Sequence, residues 1–261
     1  MKVPKLRFKD DDGRVFSEWE TGIIDEHVDF LSGYPFDGEE ISEDSNGILL
    51  MRGVNITEGL TRHGPDIDRF YCGDIKRLEK YFLKINDLVI GMDGSKVGKN
   101  SALVKGGDIN TLLVQRVARL RAKATSSIFF IFQHVNSPNF HAYVDKVKTS
   151  SGIPHISAKQ IKEFKIIFPC LAEQTKIASF LTAIDEKITQ LTQKCDLLAQ
   201  YKKGVMQQIF SQKLRFKDDD GREFPEWEEK KLCHLATRIT RKNKENNKNV
   251  LTYDICSAGI N

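Results

Sequence analysis

The sequence predicts an α+β fold: a mixed α/β domain, then a long coiled-coil helix, then the start of a second and incomplete domain of the first kind. Three observations predict it. A 16-residue segment occurs twice, at 5–20 and 213–228. Apolar residues at heptad spacing run through 171–212. The residues between the first repeat and this helix alternate strand-like and helix-like segments with loops rich in Gly, Asp and Asn.

The repeat organises the chain. KLRFKDDDGRVFSEWE and KLRFKDDDGREFPEWE agree at 14 of 16 positions, 208 residues apart, which is too long a period for a solenoid. The residues that follow the two copies hardly match, so one frame introduces two divergent segments. We therefore predict a leader repeat at 1–20, a first domain at 21–170, a helix at 171–212, a second leader copy at 213–228 and an incomplete second domain at 229–261.

The first domain, of about 150 residues, suits one compact unit. Its β-branched and apolar runs predict strands, and two other segments have helical character. The expected strands are 47–56, 86–92, 111–120 and 163–168, and the expected helices are 126–135 and 140–147.

The segment 171–212 contains no proline and a single glycine, Gly204. Its apolar residues step by four and three, which predicts a narrow coiled-coil seam about 60 Å long. A seam of this kind needs a second helix, from a complete second unit or from an identical chain in an antiparallel homodimer. The predicted seam residues are Ile177, Leu181, Ile184, Ile188, Leu191, Leu198, Val205 and Ile209.

Composition excludes several classes of protein. No apolar run approaches the ~20 residues that span a bilayer, and no secretory signal is visible. Five widely spaced cysteines favour reduced thiols in a cytoplasmic protein over disulfides or zinc. The net charge of +4 permits nucleic-acid binding but does not by itself indicate it.

No catalytic or metal-binding constellation is found. The loop GMDGSKVGKN (91–100) has Asp93 where a P-loop needs glycine and Asn100 where it needs Ser or Thr. It is either a plain hairpin turn or a loop that offers N–H and ammonium groups to phosphate. The six histidines lack ligand spacing. We therefore expect neither catalysis nor a bound metal.

Basic and polar side chains cluster at the predicted loops, as in proteins that contact phosphates and base edges of double-stranded DNA. Arg116, Arg119 and Arg121 fall on or after one predicted strand. The candidate DNA-binding residues are Arg52, Asn55, Arg62, Lys96, Lys99, Asn100, Lys148, Ser150, Ser151 and His155.

These segments together resemble the specificity (S) subunit of type I restriction–modification systems. The resemblance is carried by FPCLAEQTKIASFLTAIDEKITQL (168–191) at the start of the helix and YKKGVMQQIF (201–210) near its end. SGIPHISAKQIKEFKIIFP (151–169) is similar to the closing part of a target recognition domain. INDLVIGMDGSKVGKNSALV (85–104) is similar to its strand–loop–strand core, and the leader repeat matches the segment between units.

The resemblance implies two target recognition domains, each reading half of a bipartite DNA site. Long helices would act as a spacer and as the docking surface for methyltransferase (M) subunits, with endonuclease/translocase (R) subunits joining the complex. No cofactor is expected on this chain, since S-adenosylmethionine, ATP and Mg²⁺ would bind to those partners. The chain is expected to be truncated after the first recognition domain and its helix, which leaves the second half-site in question.

Two alternatives stay open. The chain could be a standalone DNA-modifying enzyme, a nuclease or methyltransferase, although the missing cofactor and metal motifs oppose this. It could also be a coiled-coil adaptor without nucleic acid, although a constant frame with divergent segments opposes that.

Overall fold

The structure is a computed structural model and describes residues 6–149 and 152–236. The chain divides into two compact units, Met1–Cys195 and Asp196–Asn261. The strands of the described part are β1 (Glu20–Ile23), β2 (Val28–Ser32), β3 (Ile41–Ser42), β4 (Ile48–Met51), β5 (Glu58–Gly59), β6 (Phe70–Tyr71), β7 (Leu88–Gly91), β8 (Ser101–Leu103), β9 (Leu112–Leu113), β10 (Val117–Ala122) and β11 (Lys165–Phe168). Its α-helices are α1 (Ile24–His27), α2 (Ile128–Val135), α3 (Pro138–Val147), α4 (Ala158–Lys162), α5 (Leu171–Phe210) and α6 (Leu232–Leu235).

Three sheets form the first unit. The largest has five strands in the order β2-β10-β7-β8-β5, in which β5 and β8 run parallel and the other pairs antiparallel. A four-stranded sheet has the order β3-β6-β4-β9, and β4 runs parallel to β9. β1 and β11 pair antiparallel and bring the first and last strands together.

The central strand β7 is buried on both faces, which explains its unbroken apolar sequence. Leu88 and Ile90 belong to a core that also contains helix residues Ile131 and Phe140. Val89, which points to the opposite face, belongs to a second core with Met51. Side chains alternate across a strand, so a strand between two cores has no polar face.

Serines start the two helices that cover this sheet. The Ser127 hydroxyl accepts from the Phe130 N–H at the start of α2, and Ser137 caps α3 in the same way, followed by Pro138 in its first turn. Phe140 is fully buried in the helix-side core.

The beginning of α5 is built into the first unit. Glu173 and Gln174 are buried in its first turn, and Ala178 is buried one turn later. The Gln174 amide donates to the Pro169 carbonyl at 2.9 Å and accepts from the Ser127 N–H at 2.9 Å. The same side chain therefore ties the start of α5 to the start of α2.

Most predicted elements are confirmed, and the α+β class with a long helix is correct. Two strand predictions were wrong in extent. The strand predicted at 47–56 ends at Met51, because Gly53–Asn55 forms a 3₁₀ turn. The strand predicted at 111–120 is two strands, because Arg116 has φ +66° and turns the chain between β9 and β10. The boundaries of the five predicted segments stay predictions.

Candidate nucleic-acid interface

Three chain segments meet at a cleft of about 510 Å³ in the first unit. They are the segment that follows β4, the loop after β7 and the turn between β9 and β10, and Ile41 of β3 adds one apolar residue to the lining. The polar residues that line the cleft are Arg52, Asp93, Ser95, Lys96, Asn100, Gln115 and Arg116. Three predicted DNA-binding residues, from segments up to 48 positions apart, therefore share one surface.

Arg52 lies directly after β4 and is half-buried. Its backbone N–H donates to Asn55 Oδ1 at 3.2 Å, and its Nη1 lies 3.4 Å from the Ile67 carbonyl oxygen. These bonds hold the backbone and one guanidinium nitrogen on the rim of the cleft. A planar guanidinium of this kind suits bidentate bonding to a base edge or a phosphate.

Two predicted residues lie next to Arg52 but not in the cleft lining. Asn55 is fully buried, and its amide donates to the Arg62 carbonyl at 3.2 Å and to Asp68 Oδ1 at 2.8 Å. In this structure Asn55 therefore holds the loop together and offers no group to a base. Arg62 is exposed, with its Nε donating to the Val54 carbonyl at 2.8 Å.

The loop that carries Asn55 is fastened by His63, which bridges two carboxylates. Its Nε2 lies 2.7 Å from Asp108 Oδ1 and its Nδ1 lies 3.2 Å from Asp68 Oδ1. Burial opposes protonation, but the hydrogen bonds to Asp108 and Asp68 outweigh it, so the pKa of His63 is raised. The bridge fixes the loop from which Arg52 and Arg62 project.

The glycine-rich loop after β7 is a tight turn that also presents lysines. Gly98 has φ +71°, and a Cβ on it would lie 2.8 Å from the Val144 side chain, so only glycine fits there. Lys96 is 62% exposed and lies 2.9 Å from Glu58, whose pKa it lowers. The turn interpretation is supported, and the ammonium group stays at the cleft surface.

Arg116 was named among the basic residues but not selected as a site residue. Its φ of +66° is uncommon for a residue with a side chain. Its side chain is 57% exposed, and its Nε lies 3.6 Å from Asp93 across the cleft. The polar pair Gln115–Arg116 interrupts the apolar run LLVQRVARL, and this was the signal for the missed turn.

A second basic group surrounds Asp145 at the end of α3. Lys148 and Lys99 lie 2.7 and 3.3 Å from its carboxylate, and their hydrogen bonds, that of Lys148 first, lower the pKa of Asp145. His155 Nδ1 donates to the Met92 carbonyl at 2.8 Å, which joins it to the loop after β7. Ser150 and Ser151 lie outside the described residues.

The two arginines of β10, Arg119 and Arg121, bind aspartates within the sheet. Arg121 forms two hydrogen bonds of 2.7 Å to Asp87, which is 1% exposed. Arg119 is buried and pairs with Asp29 on the neighbouring strand β2. Neither is placed at the cleft.

The predicted seam is partly covered and partly open. Ile177 packs against the helix-side core, and Leu181, Val205 and Ile209 are half-buried. The middle of the seam faces outward: the exposed fractions are 40% for Ile184, 56% for Ile188, 54% for Leu191 and 56% for Leu198.

None of the helices in the described part is both long and apolar enough to cross a membrane.

The domain that carries this cleft matches a known family. A model of the type I restriction modification DNA specificity domain matches residues 17–199. The chain belongs to this family. The matched span of the specificity domain includes every described residue of the cleft and the first 29 residues of α5.

Named relatives agree with this assignment. The specificity domain is 34% identical over 185 residues to the type I restriction enzyme EcoAI specificity subunit of Escherichia coli, covering 69% of this chain and 29% of that protein. It is 25% identical over 237 residues to the MjaVIII specificity subunit of Methanocaldococcus jannaschii, covering 85% and 50%. The chain thus spans half or less of the length of these relatives.

A solved structure supports the fold. The S subunit of a type I restriction–modification system from M. genitalium superposes with a TM-score of 0.55 at 18% identity, covering 84% of this chain and 50% of that chain. The predicted family and fold class are therefore confirmed.

Proposed function

We propose that this chain reads a double-stranded DNA sequence as a specificity component of a type I restriction–modification complex. The observation that carries the proposal is the match of residues 17–199 to the DNA specificity domain, within which the polar cleft lies. The named relatives are specificity subunits, and what they do is proposed here for this chain.

The cleft provides both kinds of contact that sequence reading requires. Arg52 and Arg116 carry planar guanidinium groups suited to guanine, and Asn100 and Gln115 carry amides suited to adenine. Lys96 at the rim is suited to a phosphate, which positions the protein without specifying sequence.

Internal ion pairs prepare these cations for DNA. Lys96 lies beside Glu58 in an exposed pair, and Arg116 lies beside Asp93 in a pair whose arginine is exposed and whose aspartate is 28% exposed. Exposed pairs of this kind are worth little, so a phosphate or base edge replaces the carboxylate at low cost. Before that exchange, the carboxylates keep both side chains directed at the cleft.

The chemistry of modification and cleavage belongs to partners in this proposal. Methyltransferase (M) subunits would bring S-adenosylmethionine, and endonuclease/translocase (R) subunits would bring ATP and Mg²⁺. Among the described residues, no group of three His, Cys, Asp or Glu side chains is arranged to hold a metal ion. The complex would act in the cytoplasm, where DNA and these cofactors are found.

The exposed seam supports pairing through α5. Four apolar seam residues that are 40% to 56% exposed form one stripe suited to a second helix. An antiparallel homodimer is self-complementary and would set two identical recognition domains about 60 Å apart. The DNA site would then be an inverted repeat with a fixed spacer, and M subunits would dock on the paired helices.

The test is methylation mapping of cells that express this chain with its M partner. The parent chain should give one bipartite methylation motif. Arg52→Ala should lower the discrimination between bases at one position of this motif by ~1–3 kcal/mol. Arg14→Ala, an exposed arginine of the leader, is the matched control and should leave the motif unchanged. An unchanged motif with Arg52→Ala removes Arg52 from the reading set.

Two further outcomes decide between the alternatives. The chain alone, incubated with DNA, S-adenosylmethionine and Mg²⁺, should leave the DNA unmodified; methylated or cut DNA would favour a standalone enzyme. A gel shift in which the chain adds no DNA binding, with or without the M subunit, would favour an adaptor without nucleic acid.

A further inference from the structure

The two copies of the repeat have the same fold. We call residues 6–20 the first leader and residues 214–228 the second leader. Each is a tight turn with a glycine of positive φ, +82° at Gly13 and +81° at Gly221. In each, one aspartate, Asp10 or Asp218, accepts two backbone N–H groups at 3.0 and 2.7 Å.

An arginine closes each turn in the same way. Nη2 of Arg7 donates to the backbone carbonyls nine and ten residues ahead, at 3.2 and 2.6 Å. Nη2 of Arg215 donates to the carbonyls at the same two spacings, at 2.8 and 2.6 Å. The rest of each guanidinium is directed to a carboxylate.

The first leader uses this arrangement to bind the start of α5. Arg7 forms a bidentate pair with the buried Glu173, at 3.1 and 2.7 Å, and the Trp19 indole N–H donates to the same carboxylate at 3.0 Å. Lys176 donates to a carbonyl of the leader at 2.8 Å, and Phe180 packs edge-on against a leader phenylalanine at 5.7 Å. Glu173, Lys176 and Phe180 lie on one face of α5, because residues three and seven positions apart align along a helix.

In the described part of the chain, no helix start brings a carboxylate to Arg215 of the second leader, and Trp227 packs edge-on against Phe210 at the end of α5, with ring centroids 6.2 Å apart. Arg215 instead lies 3.0 Å from Glu226 within its own turn. The three aromatic residues that are half-buried in the first leader are exposed in the second. The exposed fractions are 67% for Phe216, 50% for Phe224 and 49% for Trp227.

We propose that the second leader docks on the start of α5 in a second copy of this chain, replacing that copy's own first leader. The face it would bind carries Glu173, Lys176 and Phe180. The sequence identity of the two leaders supports this occupant, since the first leader already shows what their common surface binds.

The position of the second leader supports the same occupant, and this step rests on the antiparallel pairing proposed above. In such a pair, Ile177 of one helix lies opposite Ile209 of the other. Glu173 lies four residues before Ile177, and the second leader begins five residues after Ile209. The second leader of one chain therefore emerges beside Glu173 of the other.

Two leaders then compete for each Glu173. The second leader has Glu223 and Pro225 where the first leader has Val15 and Ser17. Lys217 and Glu223 form a cross-strand ion pair at 2.9 Å, and proline restricts the unbound segment. Both differences restrict the unbound second leader to the conformation that would bind Glu173, which lowers the entropy cost of binding. This lets it compete with the first leader, which is already joined to the same chain as that Glu173.

Fluorescence of Trp227 tests the docking. The chain has two tryptophans, so Trp19→Phe makes Trp227 the single reporter. Because this change also removes the first leader's indole N–H bond to Glu173, the competition in the parent chain is tested by the self-association below. As the concentration rises through the monomer–dimer midpoint, iodide quenching of Trp227 should fall at least twofold. Arg215→Ala should abolish this protection. Arg222→Ala is the matched control, because its exposed side chain pairs with Asp220 in the same turn, and it should keep the protection.

Self-association gives a second readout. Arg215→Ala should raise the dimer dissociation constant at least tenfold, and so should Phe216→Ser. Phe216 is 67% exposed, so Phe216→Ser should not disturb the fold. It keeps the test valid if Arg215→Ala unfolds the second leader. A dimer in which Trp227 is as quenchable as in the monomer overturns the docking but leaves the helix pairing standing. A monomer at every concentration overturns both, while DNA recognition by the first domain is tested separately by methylation mapping.

Discussion

Arg7 and Glu173 form a bidentate ion pair between residues 166 positions apart. Glu173 is fully buried, and its second partner is the Trp19 indole N–H at 3.0 Å. The pair joins the segment before the recognition domain to the helix that follows it. The carboxylate also lies in the first turn of α5, where the helix dipole favours negative charge.

Loss of this carboxylate should destabilise the first unit. Glu173→Ala leaves the Trp19 indole N–H without its acceptor, which costs about 1–3 kcal/mol, and the Arg7 guanidinium loses its partner as well. Urea denaturation should show the loss as a lower midpoint with an unchanged slope. Glu18→Ala is the control, since Glu18 is 87% exposed and lies 3.8 Å from Arg7; its midpoint should not move.

The salt dependence of DNA binding should identify the lysines that touch phosphate. Lys96→Ala and Lys99→Ala should each weaken binding to all sequences and flatten the slope of log K against log salt by about 0.9 for one phosphate that the lysine neutralises. Lys159→Ala, whose side chain is 81% exposed on α4, should leave the slope unchanged. If both test variants keep the parental slope, the glycine-rich loop is only a turn.

Arg116→Gly should separate stability from DNA binding. Glycine adopts φ near +66° without strain, so the free energy of unfolding should stay equal or rise by about 1 kcal/mol. DNA affinity should fall, because the guanidinium leaves the cleft. Asn110→Gly is the control, with a similar φ of +64° outside the cleft lining, and should keep parental affinity. Undiminished affinity with Arg116→Gly would remove Arg116 from the interface.

Acid should destabilise the fold through His134. Burial lowers the pKa of His134 to about 4, below its ordinary value of 6.5. Between pH 6.5 and pH 4, His134 is therefore protonated in the unfolded chain but not in the folded chain. The free energy of unfolding is highest above pH 6.5 and decreases as the pH falls towards 4. The loss between pH 7 and pH 5 should be about 2 kcal/mol. His134→Phe should reduce it in urea titrations at the two pH values, whereas His234→Phe, at an exposed position, should not.

Charges in the seam should prevent self-association. Ile184→Asp/Ile188→Asp places two carboxylates where the proposed dimer buries apolar side chains, so light scattering should report a monomer. Ile85→Asp, an exposed isoleucine outside the helix, should leave the mass unchanged. A parent chain that is a folded monomer at micromolar concentration would contradict the dimer.

Local patterns were sufficient for several elements. β7 was predicted because its segment is rich in β-branched and apolar residues between turn signals, and α5 because forty residues without proline carry a regular apolar spacing. The turn at Arg116 was missed because its apolar neighbours continue on both sides, so the strand pattern resumes after two residues.

The sequence by itself determined the family, the leader repeat and the long helix, because each depends on the order of residues along a continuous segment. Only the tertiary structure decided that Arg52, Lys96, Asn100 and Arg116 share one cleft while Asn55 is buried beside it. It also decided that Arg7 is paired with Glu173 while Arg215 is paired within its own turn. The reason is physical: the environment of a polar side chain depends on which distant segments pack around it, and identical residues in the two leaders therefore have different partners.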